Sequence, residues 1–280
     1  MARRLVLVTG ASSGIGAAFA RQFAQKGWDL ALVARREDKL KDLAEEVKAQ
    51  FGVDSLIIAD DLSDPEAPGR IVKAVADAGR QIDGLVNNAG AGQPGYFTET
   101  GWEDQARFLE LMATSYLKLM HLIAPEMAKR GYGRIVNIAS VSALLPSARA
   151  HTVFSGTLYP GLKSLLIKAS EALALELEDK GVHVTAVAPG YTWSEFHDVN
   201  GARATVSKLP NYWMLTAEEV AIAGYDAVER GVPLRVPGAW YKFLVAVARA
   251  LPDPVGRGLM RMQEKRMQKQ AAGEAASEGA

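Results

Sequence analysis

Two side chains stand out for their chemistry: the phenol of Tyr159 and the amine of Lys163, four positions apart. On a helix that spacing puts both on one face, one turn from each other. An ammonium beside a phenol favours the phenolate and draws its ionisation towards neutral pH, which makes an acid/base device. The same spacing also arises in a plain surface pair, or where a tyrosine ring lies under a lysine stem.

A second segment, Thr9-Gly10-Ala11-Ser12-Ser13-Gly14-Ile15-Gly16, follows an apolar run and leads into a helical pattern. Glycines let a backbone turn tightly and approach a pyrophosphate closely, and a helix start offers unpaired N–H groups with partial positive charge. Gly10, Ser12, Ser13, Gly14, Ile15 and Gly16 are therefore candidate cofactor contacts, although Gly-Ser segments often only make turns. The apolar run at 29–34 ends in Ala34-Arg35-Arg36. In a dinucleotide fold, an unmodified adenosine ribose wants a carboxylate there. Arg35 and Arg36 suit a 2′-phosphate instead, pointing to NADP (NADPH) in preference to NAD. Solvated arginines at a helix start are the alternative.

The elements that must position these groups follow from periodicity. Apolar runs at 5–8, 29–34, 55–59, 84–86, 134–138 and 182–187 read as strands. Helical patterns lie between them at 15–26, 37–50, 66–78, 102–130 and 158–179, and Thr216-x-x-Glu219 is a capping box opening a helix to Glu229. This alternation predicts an α/β fold: a single doubly wound (Rossmann) parallel sheet with helices on both faces, plus a C-terminal helical extension. Residues 1–238 are read as one NADP(H)-binding catalytic domain, 239–270 as the extension and 271–280 as a disordered tail.

Composition excludes several classes. Thirty-two basic residues balance thirty-two acidic ones, so no global field gathers nucleic acid. The chain has no cysteine, which removes disulfides, thiolate metal sites and cysteine nucleophiles and fits a reducing compartment. His121, His151, His183 and His197 are scattered without ligand spacing, so no metal is expected. The run after Arg3-Arg4 is too short for a signal peptide and no stretch is apolar enough to span a bilayer, so a cytoplasmic protein is expected.

Across about residues 4–238 the chain resembles the short-chain dehydrogenase/reductase family. Thr9–Gly16 has the family's T-G-x-x-x-G-x-G spacing, and Asn87-Asn88-Ala89-Gly90 is similar to its N-N-A-G segment. Ser140 closes a strand at the position of the family's active-site serine, and Tyr159-Pro160-Gly161-Leu162-Lys163 resembles its Y-x-x-x-K. Pro189-Gly190-Tyr191-Thr192 falls at its cofactor-contacting P-G turn, and Asp61-Leu62 where it binds the adenine. The resemblance implies catalytic Ser140, Tyr159 and Lys163. It adds Asp61, Leu62, Asn88, Ala89, Gly90, Pro189, Gly190 and Thr192 to the cofactor contacts, together with Tyr159 and Lys163. Hydride transfer between a carbonyl and an alcohol is the implied reaction, in a homodimer or homotetramer.

Two departures stand against this pattern. Counting back from Pro125, Met112 occupies the place of the family's relay asparagine, and a thioether cannot hold a water equivalently. Thr114 and Ser115 are the nearest substitutes. This departure keeps open a second reading, a catalytically impaired NADP(H)-binding regulatory or interaction protein. The nineteen positions from Ser140 to Tyr159 also exceed the family's usual spacing, so additional chain within 144–158 is expected to loop beside the substrate cleft and shape specificity. His151 lies in that stretch.

Substrate contacts are expected from Ser142, Tyr191, Trp193 and Phe196, the aromatic ones opening a segment (191–215) that also holds Tyr212 and Trp213. Aromatic side chains favour a bulky hydrophobic small molecule, although packing on the core is an equal alternative. Short segments here and in the tail are similar to a bacterial branch related to hydroxysteroid and long-chain keto reductases. Residues 239–251 are mostly apolar, and 255–270 carry five basic residues against one acidic. They can cover the cleft, pack subunits, or make peripheral membrane contact.

Overall fold

Strand β1 (Leu5–Thr9) is buried at every position, which explains its unbroken apolar run: both faces of its sheet are covered. The computed structural model describes residues 3–92, 97–146, 157–193, 213–252, 255–256 and 258. Its strands are β1, β2 (Asp29–Ala34), β3 (Ser55–Ala59), β4 (Gly84–Asn87), β5 (Gly133–Ile138), β6 (Val182–Val187) and β7 (Leu234–Arg235). They form one parallel sheet in the order β3-β2-β1-β4-β5-β6-β7. The helices are α1 (Gly14–Gln25), α2 (Glu37–Phe51), α3 (Ala67–Asp77), α4 (Trp102–Leu109), α5 (Ser115–Arg130), α6 (Tyr159–Glu176), α7 (Ala217–Glu229) and α8 (Ala239–Ala250). The doubly wound α/β architecture read from the sequence is the one observed.

Side chains alternate along the strands and sort into two layers. Val6 and Val8 join a core with Phe19 and Phe23 of α1, Leu40 of α2 and Val220 of α7. Leu5 and Leu7 point the other way, into a core with Ile71 of α3 and Leu119 and Ile123 of α5. The chain order reverses between β1 and β4, and the crevice beyond the carboxyl ends of those strands is where such sheets bind ligands.

Local signals held where they were strong. Thr216 accepts from the Glu219 backbone N–H while the Glu219 carboxylate accepts from that of Thr216, and α7 follows to Glu229. Two features were not expected. The stretch 102–130 is not one continuous α-helix, because a π-helical turn at Glu110–Thr114 separates α4 from α5. A seventh strand, β7, pairs through Leu234 and Arg235 alone, too few residues to leave a periodic signal.

The apolar segment after residue 238 forms α8, whose Tyr241 and Val245 are buried in the same core as β1 and α1. No helix among the described residues is long and apolar enough to cross a membrane. The stretches 147–156 and 194–212, with His151, Phe196, His197 and Tyr212, lie outside the described residues, as do most of 253–280.

Candidate active site

Four strand ends meet at the β1/β4 crevice, and each carries one of the singled-out segments. The glycine segment joins β1 to α1. Gly10 and Gly14 have φ of 65° and 55°, the left-handed region that favours glycine. A Cβ on Gly16 would run into the Gly10 carbonyl, so the first turn of α1 packs closer than any side chain permits. Asn88, after β4, holds this loop: its amide donates to the carbonyls of Thr9 (3.0 Å) and Gly10 (3.3 Å). The Thr9 hydroxyl accepts from the backbone N–H groups of Asn88 (2.9 Å) and Ala89 (3.0 Å).

Arg36, at the start of α2, reaches back across the loop and donates to the hydroxyls of Ser12 (3.0 Å) and Ser13 (3.1 Å). Its guanidinium therefore lies against the two serines of the glycine turn. Arg35 points outward, and its closest carboxylate, Asp61, is 4.0 Å away. Leu62, by contrast, is a core residue packed among β1, β2 and α3. Among the described residues no cluster of potential ligands can hold a metal ion.

Beyond β5, Ser140 begins a short 3-10 turn (Val141–Ala143) and accepts from the Ser142 N–H (3.2 Å) and hydroxyl (3.0 Å). Ser142 is thus close enough to orient the Ser140 hydroxyl. The Ser140 side chain also hydrogen-bonds the Tyr159 phenol at the start of α6. Lys163, one turn on, is 3% exposed and donates to the Ile138 carbonyl at 2.7 Å. Burial pushes the Tyr159 phenol up to about 12, with the Ser140 hydrogen bond opposing it. Burial alone pulls the Lys163 amine down to about 7. In an enclosed site desolvation thus outweighs the mutual attraction foreseen from the spacing. A phenol held neutral at working pH is a proton donor.

After β6, the Pro189 carbonyl accepts from the Val141 N–H (3.0 Å), tying the P-G turn to the segment after Ser140. Thr192 donates to the Gly190 carbonyl (3.1 Å), and Thr192 bridges to Leu215. Tyr191 is buried in the main core, whereas Trp193 is 39% exposed. The ring of Tyr241 from α8 lies directly over Gly190, where any Cβ would collide with it. The Tyr241 hydroxyl accepts from the Tyr191 N–H (2.9 Å) and donates to the Trp213 carbonyl (2.5 Å).

Met112 is buried in the π-helical turn, and its sulfur accepts from the Ala91 N–H at 3.3 Å. It packs beneath Gly90, so this position supports the turn after β4. Ser115, one of the foreseen substitutes, spends its hydroxyl on the Leu111 carbonyl (2.9 Å), and Thr114 is exposed. The side chain that α5 does bring to Lys163 is Tyr116, which sequence reasoning missed. Its helical position marks it as buried, but nothing local says against what.

With this geometry in place, comparison with known proteins is specific. The short chain dehydrogenase family model matches residues 4–203, and the chain belongs to that family of oxidoreductases. It is 34% identical over 196 residues to sulfoacetaldehyde reductase 2 of Chromohalobacter salexigens, covering 69% of this chain and 74% of that protein. A short-chain dehydrogenase from Sphingobium yanoikuyae, solved in complex with NADPH, superposes with a TM-score of 0.75 at 32% identity, covering 92% of this chain and 95% of that one. The bulky-bulky ketone specific alcohol dehydrogenase from Comamonas testosteroni gives 0.71 at 29% identity, covering 92% and 94%.

Proposed function

We propose that this chain is an NADP(H)-dependent oxidoreductase that interconverts a bulky hydrophobic ketone or aldehyde and its alcohol. The observation that carries the reading is the cluster of half-buried Ser140 and Tyr159 with buried Lys163. The residues fit the dinucleotide: Gly16 admits a backbone approach no other residue allows, and Arg36 presents a cation beside the glycine turn that would pair with a 2′-phosphate. Solved neighbours carry either cofactor, NADPH in the Sphingobium yanoikuyae enzyme and NAD in a 3-oxoacyl-[acyl-carrier protein] reductase from Brucella melitensis, so the choice of NADP(H) rests on Arg36. Gly10, Ser12, Ser13, Gly14 and Ile15 would take the pyrophosphate, Arg35 and Arg36 the 2′-phosphate, and Asp61 the adenine end. Asn88, Ala89 and Gly90 on one side, and Pro189, Gly190 and Thr192 on the other, would frame the nicotinamide.

The bound nicotinamide supplies the hydride in reduction and accepts it in oxidation. Ser140 donates a hydrogen bond to the substrate carbonyl and holds its oxygen near the phenol. Tyr159 passes its proton to that oxygen as negative charge develops there. Lys163 stabilises the phenolate left behind. The high ionisation of the Tyr159 phenol suits the reductive direction, in which this group must start protonated.

Size and hydrophobicity of the substrate are supported by an aromatic row at the base of the segment after β6. Trp213 stacks on Trp240, and Phe243 lies tilted against Trp240, each pair with ring centroids 5.9 Å apart. Gly256, beyond α8, lies against Pro146 and brings the C-terminal segment back to the chain that follows Ser140. Exposed Leu122 on α5 and Leu165 and Leu175 on α6 suit subunit packing through those helices in a homodimer or homotetramer. The test is oxidation of NADPH, followed by absorbance, against a panel of hydrophobic ketones and aldehydes. Turnover that Tyr159→Phe abolishes is expected. Tight NADPH binding with no turnover across the panel would favour the alternative of a binding protein.

A further inference from the structure

Lys163 is buried, yet no carboxylate among the described residues shares its charge. A charge removed from water needs compensation, and one carbonyl supplies only part of it. The rest of its surroundings are aromatic. The ammonium lies 5.2 Å from the centroid of the Tyr116 ring and 5.7 Å from that of Tyr159, both within cation–π range.

We propose that Tyr116 is a positioning residue, whose ring face favours the charged form of the buried Lys163 amine against desolvation and keeps it aimed at Tyr159. The inference rests on the reading of Tyr159 and Lys163 as the acid/base pair.

Tyr116 is built to keep that ring still. It is fully buried, and its hydroxyl donates to the Ala89 carbonyl at 2.8 Å, in the turn after β4. Its own carbonyl accepts from the Asn87 amide (3.3 Å), which also donates to the Asn137 side chain (2.9 Å). The ring is thus fixed at its phenol end by the turn after β4 and along its backbone by the ends of β4 and β5. Burial and the neighbouring Tyr159 push its phenol above the ordinary range, so Tyr116 stays neutral and does not compete for the proton. The groups facing Lys163 are then Tyr159 on α6, Tyr116 on α5 and the Ile138 carbonyl on β5, with Ser140 bonded to the phenol of Tyr159. A hydroxyl-free ring would serve the ammonium as well, because the attraction comes from the π face.

Two measurements on the full chain test this. The first follows the Lys163 side chain by NMR titration, which needs no turnover. Tyr116→Leu is expected to lower its ionisation by about one pH unit or more, whereas Tyr116→Phe leaves it near wild type. The second replaces Tyr116 with phenylalanine carrying one, two and three ring fluorines, which drain the π face with little change of shape. The Lys163 titration, and the pH profile of kcat for NADPH-dependent reduction, are expected to move stepwise with fluorine number. A flat response across the fluorinated series overturns the proposal, as does Tyr116→Phe shifting as far as Tyr116→Leu. Should wild-type protein turn over no carbonyl, the functional reading fails while the titration still judges the ring.

Discussion

The Tyr241 hydroxyl accepts from the Tyr191 backbone N–H at 2.9 Å, across fifty positions of sequence, while its ring covers Gly190. A helix beyond the family-matched segment thereby fixes the turn after β6. Because the same hydroxyl donates to the Trp213 carbonyl, both ends of the segment from 191 to 213 are tied to one side chain. The C-terminal helix is part of the site's framework.

That contact gives the first prediction. In Gly190→Ala the added methyl meets the Tyr241 ring, and overpacking of this kind costs about 1–3 kcal/mol. A fall in melting temperature of at least a few degrees is expected. Tyr241→Leu in the same chain should recover part of that loss, so the two substitutions are non-additive. Simple addition of the two losses would show that the ring does not set the limit at Gly190.

Arg36 provides a test of cofactor choice. If Arg36 pairs with the 2′-phosphate as proposed, Arg36→Ala removes a charge-assisted contact worth about 1.5–3 kcal/mol. Binding of NADPH, read by fluorescence titration, should weaken about tenfold or more while binding of NADH changes little. Equal weakening of both would place Arg36 elsewhere on the dinucleotide.

Tyr159→Phe deletes the proposed proton donor and keeps the ring. General acid catalysis is worth about 10²–10⁴-fold, so kcat should fall by that order with the NADPH dissociation constant unchanged. Retained turnover would sink the assignment of Tyr159.

Lys163 makes stability depend on pH. Its amine titrates at about 7 in the fold against the usual 10.5. Between those values the unfolded chain holds the extra proton, so stability rises with pH across the window, and the burial cost is fully present below pH 7. Lys163→Met removes the cost. Its unfolding free energy should exceed wild type by an amount of order a few kcal/mol near pH 6, a gap closing towards pH 10. A gap independent of pH would contradict the depressed titration.

The strands, the glycine loop, the arginines after β2 and the Tyr159–Lys163 pair were legible in the chain because each is a local pattern. Apolar runs mark strands covered on both faces, and Gly10 and Gly16 mark a backbone that must turn and come close. The capping box of α7 lies within four consecutive residues. Tyr116 and Tyr241 carried no such mark. Periodicity says that a side chain is buried, but its partner, Lys163 in one case and Gly190 in the other, is supplied by an element distant in sequence. The π-helical turn was equally silent, since Met112 finds its acceptor role only against the Ala91 N–H that β4 delivers. Desolvation belongs to the same class. Spacing put an ammonium beside a phenol, and only the enclosing fold decided that both would be held towards their neutral forms.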